Sequence, residues 1–194
     1  MAEDMTVKHP TARGLSAANE RLPVGVRIAP LSAHHDERGV FTELYREEWG
    51  FGPKPLQWNV AHSVANVLRG VHTHGDHYDY LVTVAGSMLL GLRDSRAGSA
   101  TFGRVAMMRL EGSDPHLVVI PPGVSHGFYF SEPSTHIYGV SAYFVRPEEA
   151  ICRWDDPGLG FDWPCTAPGL SPKDAKAGSY ADMLARFAFE DVAP

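Results

Sequence analysis

Short segments rich in β-branched and aromatic residues recur along most of the chain and constrain its fold more than any other feature. Gly, Pro, Asp and Ser separate the segments, as is typical of strands joined by tight turns. Roughly ten strands at this spacing predict an all-β sandwich or barrel with antiparallel pairing, rather than βαβ units. The segments are VGVRI, GVFTELY, LQWNVAHSV, VLRGVH, YLVTVAG, SMLLGLRD, FGRVAMMRL, HLVVIPP, HGFYFS and HIYGVSAYFV.

The chain's length predicts one domain flanked by a short arm and a helix. With 194 residues, of which 44% are hydrophobic, it can bury a substantial core. Residues 1–21 are polar and show no period, so we expect a flexible N-terminal arm, followed by a single domain over residues 22–194. Ser171 and Pro172 suit the N-cap and first position of a helix, which predicts a C-terminal helix over about 172–187.

Charge and cysteine content exclude several classes of partner. The net charge is −6 and no block of Lys or Arg is present, so we expect no nucleic-acid partner. No apolar run approaches the ~18 residues of a membrane span, and the N-terminus lacks the apolar part of a secretory signal, so we expect no membrane partner. The two cysteines, Cys152 and Cys165, are expected to be reduced in a cytoplasmic protein.

A group of histidines predicts one possible site. His72, His74 and Asp79 follow the pattern HxH(x)4D(x)6G, and His126 ends a PxGxxH pattern. The two patterns resemble the motifs of metal-dependent cupins, which are small jelly-roll proteins. Residues i and i+2 of a strand face the same side, so His72 and His74 can converge on one ion. One interpretation is therefore a metal-dependent cupin isomerase or oxygenase that binds a divalent transition metal through His72, His74, Asp79 and His126.

A second resemblance covers about three-quarters of the chain, from Val26 to Asp174. The sequence resembles the nucleotide-sugar 3,5-epimerase family, typified by dTDP-4-dehydrorhamnose 3,5-epimerase. This resemblance implies a cupin jelly roll with a short C-terminal helix and no cofactor. It also implies a sugar-nucleotide substrate and a homodimer that exchanges its N-terminal strands. The matching blocks, in chain order, are DERGVFTE, QWN, VLRGVH, TFG, IPPGVSHGF, WDDPGLGFDWP and LSPKD.

The family chemistry assigns roles to particular residues. Epimerisation beside a ketone needs a base for the α-proton, a group that stabilises the enolate, and an acid on the other face. The resemblance implies that the substrate carries a 4-keto-6-deoxy sugar. It also implies that His72 is the base that removes the proton next to the ketone, and that Asp174 orients His72. It further implies substrate-binding roles for Arg38, Glu43, Gln57, Asn59, Arg69 and His126.

Three positions depart from the family pattern. Asp79 stands where the family has a Lys, His74 where it has a Gln, and Phe144 where it has the Tyr that donates the second proton. Tyr143 is the remaining candidate for that acid. These changes favour a single epimerisation, at C3 or C5. Two alternatives stay open, the metal-dependent cupin described above and a sugar-nucleotide-binding protein without activity.

Overall fold

The computed structural model describes residues 21–143 and 150–187. The predicted N-terminal arm therefore lies outside the described residues, except for Arg21. Twelve strands and one α-helix form in the described ranges. They are β1 (Arg27–Pro30), β2 (Ala33–Asp36), β3 (Gly39–Thr42), β4 (Gln57–Ser63), β5 (Val67–Thr73), β6 (Asp79–Ala85), β7 (Ser87–Asp94), β8 (Val105–Glu111), β9 (His116–Ile120), β10 (Val124–Phe130), β11 (Ser134–Val140), β12 (Ala150–Ile151) and α1 (Tyr180–Arg186).

Two five-stranded antiparallel sheets make up the body of the molecule. One has the order β1-β9-β6-β11-β4, the other the order β12-β5-β10-β7-β8, and β2 pairs only with β3 in a separate hairpin. The neighbours in each sheet are mostly far apart in sequence, as in a jelly roll. The predicted all-β cupin fold is confirmed.

The core lies between the inner faces of the two sheets. Leu81 and Ile120 of the first sheet pack in one cluster with Met88, Leu90 and Leu92 of the second. Each of these five side chains is at most 1% exposed, and burying a side chain of this size contributes about 1.5–3 kcal/mol. The edge strand β4 instead alternates between half-buried and exposed positions, because only one of its faces meets the core.

All ten predicted segments contain strands, whereas β2 and β12 were not predicted. The sequence of β2, AHHD, has no β-branched residue, and β12 has only two residues. The predicted start of the C-terminal helix is wrong. Residues Asp174–Lys176 form a separate 3₁₀ turn, and α1 begins after Ser179, whose hydroxyl accepts a hydrogen bond from the Asp182 amide at 3.0 Å.

Two further expectations concern the cysteines and the membrane. Cys152 is buried and Cys165 is partly buried, and neither forms a disulfide. Among the helices in the described ranges, none is long and apolar enough to cross a membrane.

Candidate active site

A histidine and an aspartate that are distant in sequence form a hydrogen-bonded pair. His72 lies near the end of β5, and Asp174 begins the 3₁₀ turn that precedes α1. The Nε2 atom of His72 lies 2.9 Å from Oδ1 of Asp174. The Ser171 hydroxyl donates to Oδ2 of the same carboxylate at 2.8 Å, so both carboxylate oxygens are engaged. This geometry brings together the two residues predicted as base and orienter.

The ionisation of Asp174 determines which nitrogen of His72 is free. Burial alone would raise the pKa of Asp174, but the hydrogen bonds from His72 and Ser171 and the nearby Lys173 charge bring that pKa below its usual value. An ionised carboxylate only accepts hydrogen bonds, so Nε2 of His72 carries a proton. In the neutral ring the lone pair is then on Nδ1, which can accept a proton from another molecule.

Polar side chains of β4, an edge strand of the first sheet, meet a side chain of β5 from the second sheet. Gln57 and Asn59 occupy the half-buried positions of β4, and Gln57 Nε2 donates to Asn59 Oδ1 at 3.0 Å. The Nδ2 group of Asn59 is buried and has no hydrogen-bond partner among the described residues. Arg69 of β5 donates through Nε to the Ser63 hydroxyl at 3.0 Å. These donors are suited to a polar ligand.

Three other predicted site residues are not part of this group. Arg38 lies on the turn between β2 and β3, pairs with Asp36, and has a side chain that is 84% exposed. Glu43 pairs with Arg46. Tyr143 is 68% exposed, and Phe144 lies outside the described residues.

A second cluster contains His74, Asp79 and His126. One ligand atom from each lies within 4.8 Å of the other two. The Nε2 atoms of His74 and His126 are 3.9 and 3.8 Å from Oδ2 of Asp79. Of the four residues predicted to bind a metal, these three lie close together, whereas His72 places its Nε2 atom against Asp174. His77, in the loop between β5 and β6, is also buried and stacks on His74 with ring centroids 4.2 Å apart.

Burial keeps the second cluster uncharged in the absence of a bound ion. Burial lowers the pKa of His126 to about 3 and the pKa of His74 well below its usual value. It raises the pKa of Asp79 to about 8. In each case the charged form loses hydration that the surroundings do not replace.

His136 and Ser171 were missing from the predicted site. His136 on β11 is buried, and the Phe128 ring links it to His126, with centroid distances of 5.9 and 5.5 Å. A polar residue at an inward position of the alternating segment HIYGV was the available signal. Ser171 was interpreted only as a helix cap, yet its hydroxyl holds the Asp174 carboxylate.

The comparisons with known proteins cover nearly all of the described chain. The family model of dTDP-4-dehydrorhamnose 3,5-epimerase matches residues 22–182. The dTDP-4-dehydrorhamnose 3,5-epimerase of Mycobacterium tuberculosis is 36% identical over 177 residues, which cover 84% of this chain and 87% of that protein.

Solved structures agree with the sequence comparison. The rmlC epimerase of Mycobacterium tuberculosis superposes with a TM-score of 0.79 at 32% identity, over 86% of this chain and 90% of that one. ChmJ, a 3'-monoepimerase from Streptomyces bikiniensis in complex with dTDP-quinovose, gives a TM-score of 0.77 at 28% identity, over 94% and 92%. These matches favour the epimerase interpretation over the metal-dependent cupin enzyme and over the inactive binding protein. The chain belongs to the dTDP-4-dehydrorhamnose 3,5-epimerase family.

Proposed function

We propose that this protein epimerises a 4-keto-6-deoxy sugar linked to dTDP, at a carbon next to the ketone. The hydrogen bond of 2.9 Å between His72 Nε2 and Asp174 Oδ1 is the observation that carries the proposal. The pair supplies an imidazole whose tautomer is fixed by a buried carboxylate, which is the arrangement that a general base requires. Membership of the epimerase family supports the same chemistry.

The proposed reaction begins with proton transfer from the substrate to His72. Nδ1 accepts the proton from the carbon beside the ketone, and the negative charge moves to the ketone oxygen as an enolate. Asp174 stabilises the imidazolium that forms, since its carboxylate already accepts the Nε2 proton. Return of a proton to the opposite face of the carbon inverts its configuration. These steps conserve oxidation state, so the proposed reaction needs no redox cofactor.

We further propose that only one of the two carbons, C3 or C5, is epimerised. Asp79 occupies the position of the lysine in the family pattern, and Phe144 that of the second tyrosine. Both changes remove groups that support the enolate or its reprotonation, and Tyr143 is the proposed acid. The similarity to ChmJ, whose name describes a 3'-monoepimerase, supports this restriction.

Substrate binding is proposed for polar groups on β4 and β5. The buried Nδ2 donor of Asn59 and the side chains of Gln57 and Arg69 are suited to the sugar and the diphosphate. An Arg guanidinium can donate two parallel hydrogen bonds to a phosphate, so Arg69 is the proposed diphosphate contact.

The protein is proposed to act as a cytoplasmic homodimer. The hairpin of β2 and β3 pairs with neither large sheet, and Val40 and Phe41 on it are 62% and 65% exposed. Apolar residues on a projecting hairpin favour a protein interface. Exchange of the hairpin between subunits would carry Arg38 and Glu43 towards the partner's site. Two free cysteines are consistent with a reducing compartment.

Proton NMR in D2O tests the single-carbon proposal. The protein is incubated with dTDP-4-keto-6-deoxyglucose, and the C3 and C5 signals are followed over time. Loss of one signal with inversion at that carbon is expected. Exchange at both carbons at similar rates would contradict the restriction to one carbon, and exchange at neither would contradict the epimerase proposal.

A further inference from the structure

We propose that His74, Asp79 and His126 bind one divalent transition-metal ion beside the His72–Asp174 pair. The three side chains come from separate parts of the fold, since His74 follows β5, Asp79 begins β6 and His126 lies on β10. Their ligand atoms all lie within 4.8 Å of one another. Asp79 and His126 are only 8% and 3% exposed, so the site is enclosed by the two sheets.

The spacing of these atoms leaves room for an ion and does not satisfy the groups without one. The Asp79 carboxylate faces Nε2 of His74, His77 and His126 at 3.9, 3.9 and 3.8 Å, which is beyond hydrogen-bond distance. Within the described ranges no hydrogen bond reaches this carboxyl. Metal–ligand bonds of about 2.0–2.2 Å would require the three groups to move inward only slightly. A cation would therefore bond to three ligand atoms that face one another without a hydrogen bond between them.

Outer hydrogen bonds already orient the imidazoles for binding. Nδ1 of His126 donates to the Val124 carbonyl at 3.0 Å, which leaves the lone pair of the ring on Nε2, facing Asp79. Nδ1 of His77 lies 2.7 Å from Oδ1 of Asp76, so the His77 lone pair also faces Asp79. Metal-binding histidines commonly donate their second N–H group to a carbonyl or carboxylate in this way.

The donor set indicates the class of ion. Two imidazoles and one carboxylate are suited to Mn, Fe, Co, Ni or Zn in the divalent state, whereas Ca and Mg prefer oxygen ligands. Three protein ligands also leave coordination positions open. The ring centroids of His74 and His72 are 6.5 Å apart, so the ion would lie next to the proposed base. If the proposed function holds, the bound ion supplies positive charge near the ketone oxygen, where the family pattern has a lysine.

Cobalt binding to protein without a histidine tag tests the site. The purified protein is stripped with chelator and dialysed against Co²⁺, and the bound metal is measured by mass spectrometry together with the visible absorption spectrum. About one Co²⁺ per chain with visible d–d bands is expected. Asp79→Asn should weaken binding by more than about 100-fold, because loss of even an outer-shell partner costs 10–100-fold.

Two histidine variants define the ligand set. His72→Gln is expected to retain Co²⁺, since Nε2 of His72 is bonded to Asp174. His35→Gln, on the exposed hairpin, is the control for general loss of a histidine. Loss of Co²⁺ in His72→Gln would overturn the three-residue assignment. Equal Co²⁺ content in wild type and Asp79→Asn, or no stoichiometric Co²⁺ in the wild type, would overturn the site.

Thermal unfolding provides a second readout that does not depend on turnover. At a free Co²⁺ concentration of about 100 times Kd, the Tm of the wild type should rise by about 5–10 °C. The Tm of Asp79→Asn should not respond. An equal shift in both proteins would contradict the site. If Co²⁺ binds but no epimerisation occurs, the proposed function is rejected and the metal site is retained. If epimerisation occurs but Co²⁺ does not bind, the metal site is rejected and the proposed function is retained.

Discussion

Replacing Asp174 with Asn isolates the contribution of the carboxylate to catalysis. The substitution keeps the size of the side chain, and the amide can still occupy the space beside His72 and Ser171. It removes the negative charge that lies 2.9 Å from Nε2 of His72. The imidazolium formed during proton abstraction then has no anionic partner, and the amide NH2 can donate to Nε2. In that tautomer Nδ1 carries the proton and cannot act as the base.

The structure sets the size of the expected loss. A hydrogen bond to a charged group contributes about 1.5–3 kcal/mol, which corresponds to roughly 10-fold to 150-fold in rate. The wrong tautomer adds to this loss, and an Asp→Asn change in a serine-protease triad lowers kcat by about 10⁴-fold. We therefore expect kcat of Asp174→Asn to fall by about 10²-fold to 10⁴-fold. KM should change less, because the carboxylate acts through His72.

Steady-state epimerisation, measured by NMR or by a coupled reductase, gives kcat and KM for the variant. Asp114→Asn is the matched control, because its side chain is 79% exposed on the turn between β8 and β9. The Tm of both variants verifies that they fold. A kcat of Asp174→Asn within threefold of the wild-type value would refute the assignment of Asp174 as the positioning residue for the base.

Three further predictions address binding and stability. Arg69→Gln should raise KM for the nucleotide sugar by about 10-fold to 100-fold with a smaller change in kcat, and an unchanged KM would exclude Arg69 from diphosphate binding. In the wild type the buried Arg96 guanidinium lies 2.8 Å from the Asp94 carboxylate. Asp94→Ala removes that partner and should lower the free energy of urea unfolding by about 3–5 kcal/mol. A loss below about 1 kcal/mol would contradict this expectation. Burial lowers the pKa of His136 to about 4. Below pH ~6.5 His136 is therefore protonated in the unfolded chain but stays neutral in the folded one. The free energy of unfolding falls as the pH falls, by roughly 3 kcal/mol between pH 6.5 and pH 4. His136→Phe should remove this part of the decline in urea titrations at several pH values, and an identical decline in both proteins would count against it.

The strands were predictable because local sequence pattern and tertiary burial agree in them. In β9 the apolar run LVVI is buried throughout, as its composition predicts. In β4 only the period of two agrees, because Trp58 and Val60 are exposed and the polar Gln57 and Asn59 are half-buried. The hairpin strand β2 lacks such a pattern, because it packs against no large sheet and its polar residues remain exposed. The helix start was missed because the Ser171 hydroxyl bonds to the carboxylate and amide of Asp174 ahead of a 3₁₀ turn, and Ser179 is the residue that caps α1.

The candidate site was predictable in its residue types but not in its grouping. Motif spacing singled out His72, His74, Asp79 and His126 together, whereas the fold divides them between two clusters. Asp174 is 102 positions away from His72, so only the family resemblance linked the two. The burial of His77 follows from its stacking on His74, and this contact between loop residues leaves no periodic signal in the sequence.

The most direct test of the central proposal is deuterium incorporation catalysed by wild type and His72→Gln. Both proteins are incubated with dTDP-4-keto-6-deoxyglucose in D2O, and the isotope at C3 and C5 is measured by NMR, with Tm as the control for folding. The wild type should incorporate deuterium at one of the two carbons, and His72→Gln should lose at least about 10²-fold of that rate. Incorporation by a folded His72→Gln at a rate within a few-fold of wild type would show that His72 is not the base.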